Sequence, residues 1–236
     1  MDPVLFYGVP QGCSFGSIVA LEWLQQPYRL CRIEMLEHPW PPLYRHINPM
    51  LQTPALLLPD GEALSQSMGI LLHLAAQGLD RGLGFAQGTR EFDRLNQMLA
   101  FLHTDVFSAF GPLWAAYDLQ DLTPEQLRLL QDIGQGKVRK CFEVLNGRIG
   151  AGPWLLGAQR TVADAYACGV VRWADFHRFF DLAVEYPHIA QWAQRLADDP
   201  AVQFAHEVER QGPAAAHSAA CLGHVQLDEL PVFPRG

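Results

Sequence analysis

Beyond residue 88 of this 236-residue chain every strand signal disappears, and that one change of periodicity limits what the chain can fold into. Before it, short apolar or alternating runs are separated by turn residues. Residues 4 to 7 (VLFY) read as a strand. Ser14 to Gln26 reads as a helix, with Ile18, Leu21 and Leu24 at helical spacing and Pro27 ending it. In RLCRIEM, Cys31, Ile33 and Met35 alternate with Arg32 and Glu34, which predicts a half-buried second strand. TPALLL predicts a third strand, PDG a turn, and EAL a fourth strand paired through that turn. Residues 66 to 76 then form a helix that Gly78 stops. This order over residues 1 to 78 suits a small mixed sheet with helices packed against it.

Glycines at 78, 82, 84 and 88 mark a linker over 79 to 88. From Thr89 to 211 the pattern predicts only helices. The first long run extends to about Ala116 and is expected to bend at Gly111-Pro112, where proline removes an intrahelical donor. The second starts at TPEQ: Thr123 caps, Pro124 suits the first position, and Gln126 closes a capping box. It ends near Asn146-Gly147. The third starts at Thr161, with Asp164 three residues on, and two shorter helices start near Pro187 and Pro200. Residues 212 to 236 have no periodicity and are expected to form a surface tail.

A formal net charge of -8 and the lack of a basic stripe argue against nucleic acid, whose non-specific binding draws on clustered Lys and Arg. No apolar run reaches the roughly 20 residues that cross a bilayer, so no membrane partner is expected. The N-terminus enters a strand pattern within four residues, and no secretory leader is expected. Five cysteines without a C-x-x-C pair fit free thiols in a reducing, cytoplasmic setting. His217, Cys221 and His224 have ligand-like spacing, but they lie in the unpatterned tail with no fourth donor near, so no metal site is expected.

The junction PQGCSFG, between the first strand and the first helix, allows two chemistries. Gly12, Ser14 and Gly16 match the G-x-S-x-G turn that presents a hydrolase serine. That chemistry needs a larger parallel sheet and an oxyanion loop from an earlier strand, and only one strand precedes Ser14. The alternative is Cys13, placed where the free N–H groups of a helix N-terminus favour a thiolate.

Four stretches carry a resemblance: LFYGVPQGCSFGSIVALEWL, NPMLQTPALLLPDGEALSQSMGILLHLA, GPLW, and PWLLGAQRTVADAYACGVVRWA. Over roughly residues 4 to 210 the chain resembles the cytosolic glutathione transferases, most nearly the bacterial beta class. The resemblance implies an α/β thioredoxin-like N-terminal domain followed by an all-α helical C-terminal domain. It also implies glutathione as co-substrate, no metal, a homodimer, and conjugation of the glutathione thiolate to a small apolar electrophile.

By the same resemblance Gln52, Thr53 and a cis Pro54 meet the cysteinyl part of glutathione, and Ser67 holds the γ-glutamyl carboxylate. Gln66 is placed at the α-amino end and His38 near the glycyl carboxylate. Cys13 lies beside the glutathione sulfur, Ser14 is a second thiolate partner, and Tyr7 is a packing aromatic. Thr161 and Asp164 are a structural capping box. Where similar beta-class members carry His then Lys facing the site, this chain has Phe107 and Ser108, so Phe107, Phe110 and Trp114 are expected to line an apolar second-substrate pocket. Two alternatives stay open: a thiol-disulfide oxidoreductase working through a Cys13-glutathione mixed disulfide, and a non-catalytic ligand carrier of the same fold.

Overall fold

A computed structural model describes residues 1–8, 10–36, 40–214 and 218–230. The first part holds β1 (Val4–Tyr7), α1 (Ser14–Leu24), β2 (Tyr28–Arg32), α2 (Tyr44–Ile47), β3 (Ala55–Leu57), β4 (Ala63–Ser65) and α3 (Ser67–Gln77). β1 runs parallel to β2 and antiparallel to β3, and β3 pairs antiparallel with β4. Period-two alternation puts Leu5 and Tyr7 on the face covered by α1 and α3. Val4 and Phe6 lie on the other face, beneath Tyr44 and Ile47 of α2. β1 is therefore a central strand buried on both faces, and all four of its residues are apolar or aromatic.

The helical part comprises α4 (Arg90–Ala100), a π-helical turn (Phe101–Phe107), α5 (Gly111–Asp118), α6 (Pro124–Ile149), α7 (Val162–Val171), α8 (Trp173–His177), α9 (Leu182–Glu185), α10 (Pro187–Ala197) and α11 (Pro200–Gln211). The bend expected at Gly111-Pro112 lies earlier. The chain leaves α-geometry at Phe101, and Pro112 sits in the first turn of α5, where its missing N–H is no loss. Both capping boxes form, Thr123 with Gln126 and Thr161 with Asp164.

α1 is buried almost all round because it is sandwiched between the sheet, α7 and α11. The α1–α7 crossing depends on Gly16. A Cβ there would stand 2.7 Å from the Ala165 carbonyl oxygen and 3.0 Å from the Tyr166 Cα. Only a glycine lets the two helices come this close.

The reading of residues 212 to 236 as an unpatterned tail is corrected by a fifth strand. β5 (Cys221–His224) runs parallel to β2 at the sheet edge, giving the order β4-β3-β1-β2-β5. The Ser218 hydroxyl donates to Glu22 and accepts from the Cys221 N–H, both at 2.7 Å, and Leu230 is buried against the α2 face. Four residues interrupted by Gly223 are too few to show an alternation. Their order comes from the open β2 edge that they cover.

Candidate active site

A groove of about 470 Å³ opens between the sheet layer and the helices. The first layer contributes Gly12, Cys13, Met35, Asn48, Gln52, Thr53, Pro54, Gln66 and Ser67 to its wall, and the helical part contributes His103, Phe107 and Tyr166. Residues from six separate segments thus converge on one concavity, which is how small-ligand sites are commonly built.

Each wall is held by its own local structure. The Gln52 carbonyl accepts from the Tyr44 hydroxyl at 2.8 Å and from the Asn48 amide at 2.7 Å, which fixes the chain entering the cis Thr53–Pro54 bond. Thr53 packs against Gly8, where a Cβ would meet its Oγ1 at 2.7 Å. Gln66 sits at φ 71°, ψ 123°, a backbone that costs a non-glycine residue about 1–3 kcal/mol and that collects at functional sites. Its side chain does not cap α3, so among the described residues the first N–H groups of that 11-residue helix have no N-cap acceptor. Ser67, only 6% exposed, is the first residue of α3.

On the opposite wall the loop before Cys13 is pinned from α7 and α8. The Trp173 indole donates to the Gln11 carbonyl at 2.8 Å, and Arg172, paired with Glu209, reaches the Gly12 carbonyl at 3.3 Å. Cys13 is the N-cap of α1. Burial pushes its thiol up to about 11, against the pull of the nearby Arg172 guanidinium. The helix terminus therefore does not make Cys13 a resident thiolate. Alkylation of Cys13 by iodoacetamide, followed by mass spectrometry, should be slow at neutral pH and rise about tenfold per pH unit up to about pH 11. A rate that already levels off near pH 7 would contradict this.

Of the residues singled out in the sequence, Cys13, Gln52, Thr53, Pro54, Gln66, Ser67 and Phe107 line the groove together. Ser14 does not. It is 4% exposed at the start of α1, and its hydroxyl has no partner among the described residues. Phe110 is fully buried against Phe142 and Trp173, and Trp114 packs on Trp173, Phe176 and His177. Neither continues the Phe107 wall, because the π turn and the turn at Phe110 shift the angular register that an uninterrupted α-helix would have kept.

Ser108 lines a different depression, with Lys137, Lys140 and Cys141. Tyr7 is buried, with its hydroxyl 2.8 Å from His224 Nε2. His38 and His217 lie outside the described residues. Among the described residues no cluster of three or more His, Cys, Asp or Glu is placed to hold a metal ion, and no helix is long and apolar enough to cross a membrane.

The sequence reading missed His103 and Tyr166. His103 precedes Phe107 by four residues, and the two rings stack with centroids 5.7 Å apart. Tyr166 reaches the groove from α7 and contacts His103 Nδ1 at 3.0 Å. The signal available was the four-residue spacing of His103 and Phe107 on a helix, which puts both on one face.

Residues 13–77 match the family model described as glutathione S-transferase, N-terminal domain, and residues 98–200 match that of the C-terminal domain. Over 207 residues the chain is 29% identical to glutathione S-transferase GstA of Escherichia coli O157:H7, covering 87% of this chain and 98% of that one. A glutathione transferase structure from Methylococcus capsulatus superposes with a TM-score of 0.77 at 30% identity, covering 88% of this chain and 98% of the other. A sphingomonad glutathione S-transferase complexed with glutathione superposes with the same TM-score at 26% identity, covering 88% and 99%.

Proposed function

The chain belongs to the glutathione S-transferase family, and on that premise we propose that its groove binds glutathione and conjugates the tripeptide's thiolate to a small apolar electrophile. The observation that carries this reading is the meeting of the α3 N-terminus, with Ser67, and the α1 N-terminus, with Cys13, in one groove.

A γ-glutamyl carboxylate suits the α3 terminus, because unpaired N–H groups and the helix dipole favour an anion there and the Ser67 hydroxyl can donate to it. Gln66 lines the same end and would hold the α-amino group. Thr53, extended before Pro54, offers its backbone N–H and C=O to the cysteinyl unit, as a strand edge does for a peptide. The glutathione sulfur then lies beside Cys13. Phe107 and Met35 give the electrophile an apolar flank. Holding the two reactants together converts a bimolecular attack into an effectively unimolecular one.

Calorimetric titration of glutathione should show one site per chain, and Ser67→Ala should weaken it about tenfold through loss of a hydrogen bond to a charged group. No heat at millimolar glutathione would leave the non-catalytic carrier as the better account.

A second reading, thiol-disulfide exchange through Cys13, is favoured by the position of that sulfur on the groove wall. Exchange requires a thiolate, whereas a thiol held up to about 11 is suited to donating its S–H to the glutathione sulfur. Cys13→Ala separates the two, because disulfide reduction would vanish with conjugation intact if exchange were a distinct activity. A symmetric homodimer is part of this proposal. Sedimentation as a 26.4 kDa monomer would count against it.

A further inference from the structure

We propose that Tyr166 and His103 form the proton path of this groove: the Tyr166 hydroxyl contacts the glutathione sulfur and passes the thiol proton to His103, the positioning base behind it. This inference rests on the reading of the groove as a glutathione site. Tyr166, on α7, and His103, on the π-helical turn, both line the groove with Cys13, and the tyrosine hydroxyl lies 3.0 Å from His103 Nδ1. Tyr166 is 2% exposed, so its position is set by packing. The imidazole is held in plane by stacking on Phe107, with 27° between the rings.

Elimination leads to the same pair. Among the described residues of the groove wall only Cys13, His103 and Tyr166 carry a titratable side chain. Burial holds the Cys13 thiol at about 11 and pushes the Tyr166 phenol well above its ordinary range, and a charge on the Cys13 sulfur would push it further. Neither can be the group that accepts a proton near neutrality. Imidazole is the side chain suited to that task.

The charged and titratable groups around the pair are few. Cys13 faces Tyr166 from α1, Arg172 acts on Cys13 from the end of α7, and Asp105 lies two residues beyond His103, where it accepts from Thr104. The proposed path has the imidazole proton on Nε2 in the resting site, so that a bare Nδ1 accepts from the Tyr166 O–H across the 3.0 Å contact.

The step balances without any change of oxidation state. The S–H bond breaks as its proton moves to the Tyr166 oxygen, the former O–H proton moves to Nδ1, and an imidazolium and a thiolate remain. The thiolate forms the C–S bond as the leaving group departs with its electron pair, and the imidazolium returns one proton to solvent.

The test uses the full chain with glutathione and chlorodinitrobenzene, comparing Tyr166→Phe, His103→Gln and the double variant. Glutathione affinity by calorimetry, taken at a pH below the midpoint where the bound thiol stays protonated, should remain within about twofold, while kcat falls about a hundredfold in each single variant. The double variant should be no slower than either, as expected of groups acting in series. The pH midpoint of bound thiolate, followed by its ultraviolet absorbance, should rise equally in both single variants. Added imidazole should restore part of the turnover of His103→Ala, which a purely structural role would not allow.

A Tyr166→Phe variant with wild-type kcat and midpoint would overturn the inference while leaving the glutathione site intact. Losses that multiply in the double variant would also overturn it. A wild-type chain that takes up no glutathione would remove the proposed function and the proton path together.

Discussion

Replacing Asp164 by alanine should lower the stability of the chain by about 4 kcal/mol, the scale seen when a buried, fully partnered carboxylate is lost. Asp164 is fully buried at the N-terminus of α7 and joins three segments. One oxygen accepts from the Leu155 N–H at 3.0 Å and the Trp192 indole at 2.9 Å, and the other accepts from the Thr161 N–H at 2.9 Å. Burial holds the carboxyl pKa above its ordinary value, and these donors offset only part of that rise. Alanine would leave three buried donors unpaired and empty part of the space beside Trp192. The change should lower the melting temperature by roughly 10 °C and shift the urea midpoint in proportion. Asp164→Asn keeps the volume but turns an amide N–H₂ toward other donors, so it should recover only part of the loss. An Asp164→Ala midpoint equal to wild type would show that the α7 terminus is satisfied by something else.

Gly16→Ala should cost about 2–3 kcal/mol although it adds a single methyl group. The new Cβ would meet the Ala165 carbonyl at 2.7 Å, and backbone on both sides cannot step aside as a flexible side chain could. α1 and α7 must then separate, and because Cys13 begins α1 and Tyr166 lies on α7, the groove walls move apart with them. Conjugation should fall by more than the loss of folded protein explains. Gly136 on α6, with nothing within 4 Å of its would-be Cβ, is the control. Gly136→Ala should stabilise by up to about 1 kcal/mol, because alanine is the better helix former there. Equal effects at the two positions would mean that the close crossing of α1 and α7 does not matter.

Most of the architecture was legible in the chain because its signals are local. Thr123 with Gln126 and Thr161 with Asp164 announced two helix starts, and the apolar runs around Leu5 and Leu56 announced the central strands. The features that were hidden depend on distant partners. β5 exists because β2 offers it an open edge, and the π turn at Phe101–Phe107 is set by packing against α7 and α6, with no motif of its own.

The site divided in the same way. Cys13, Thr53, Gln66 and Ser67 stand at element junctions, where sequence reasoning looks for chemistry, and the groove brings them together. His103 and Tyr166 lie inside helices, where a polar ring reads as packing until the other wall is known. Phe110 and Trp114 went astray for the opposite reason: helical spacing was extended through a turn that is not α-helical.

The most direct measurement is a crystal structure of the chain bound to glutathione. The account predicts the γ-glutamyl carboxylate within hydrogen-bonding distance of the Ser67 hydroxyl at the head of α3, and the sulfur between Cys13 and the Tyr166 hydroxyl. A tripeptide bound outside the groove, or one whose sulfur contacts neither Cys13 nor Tyr166, would contradict it.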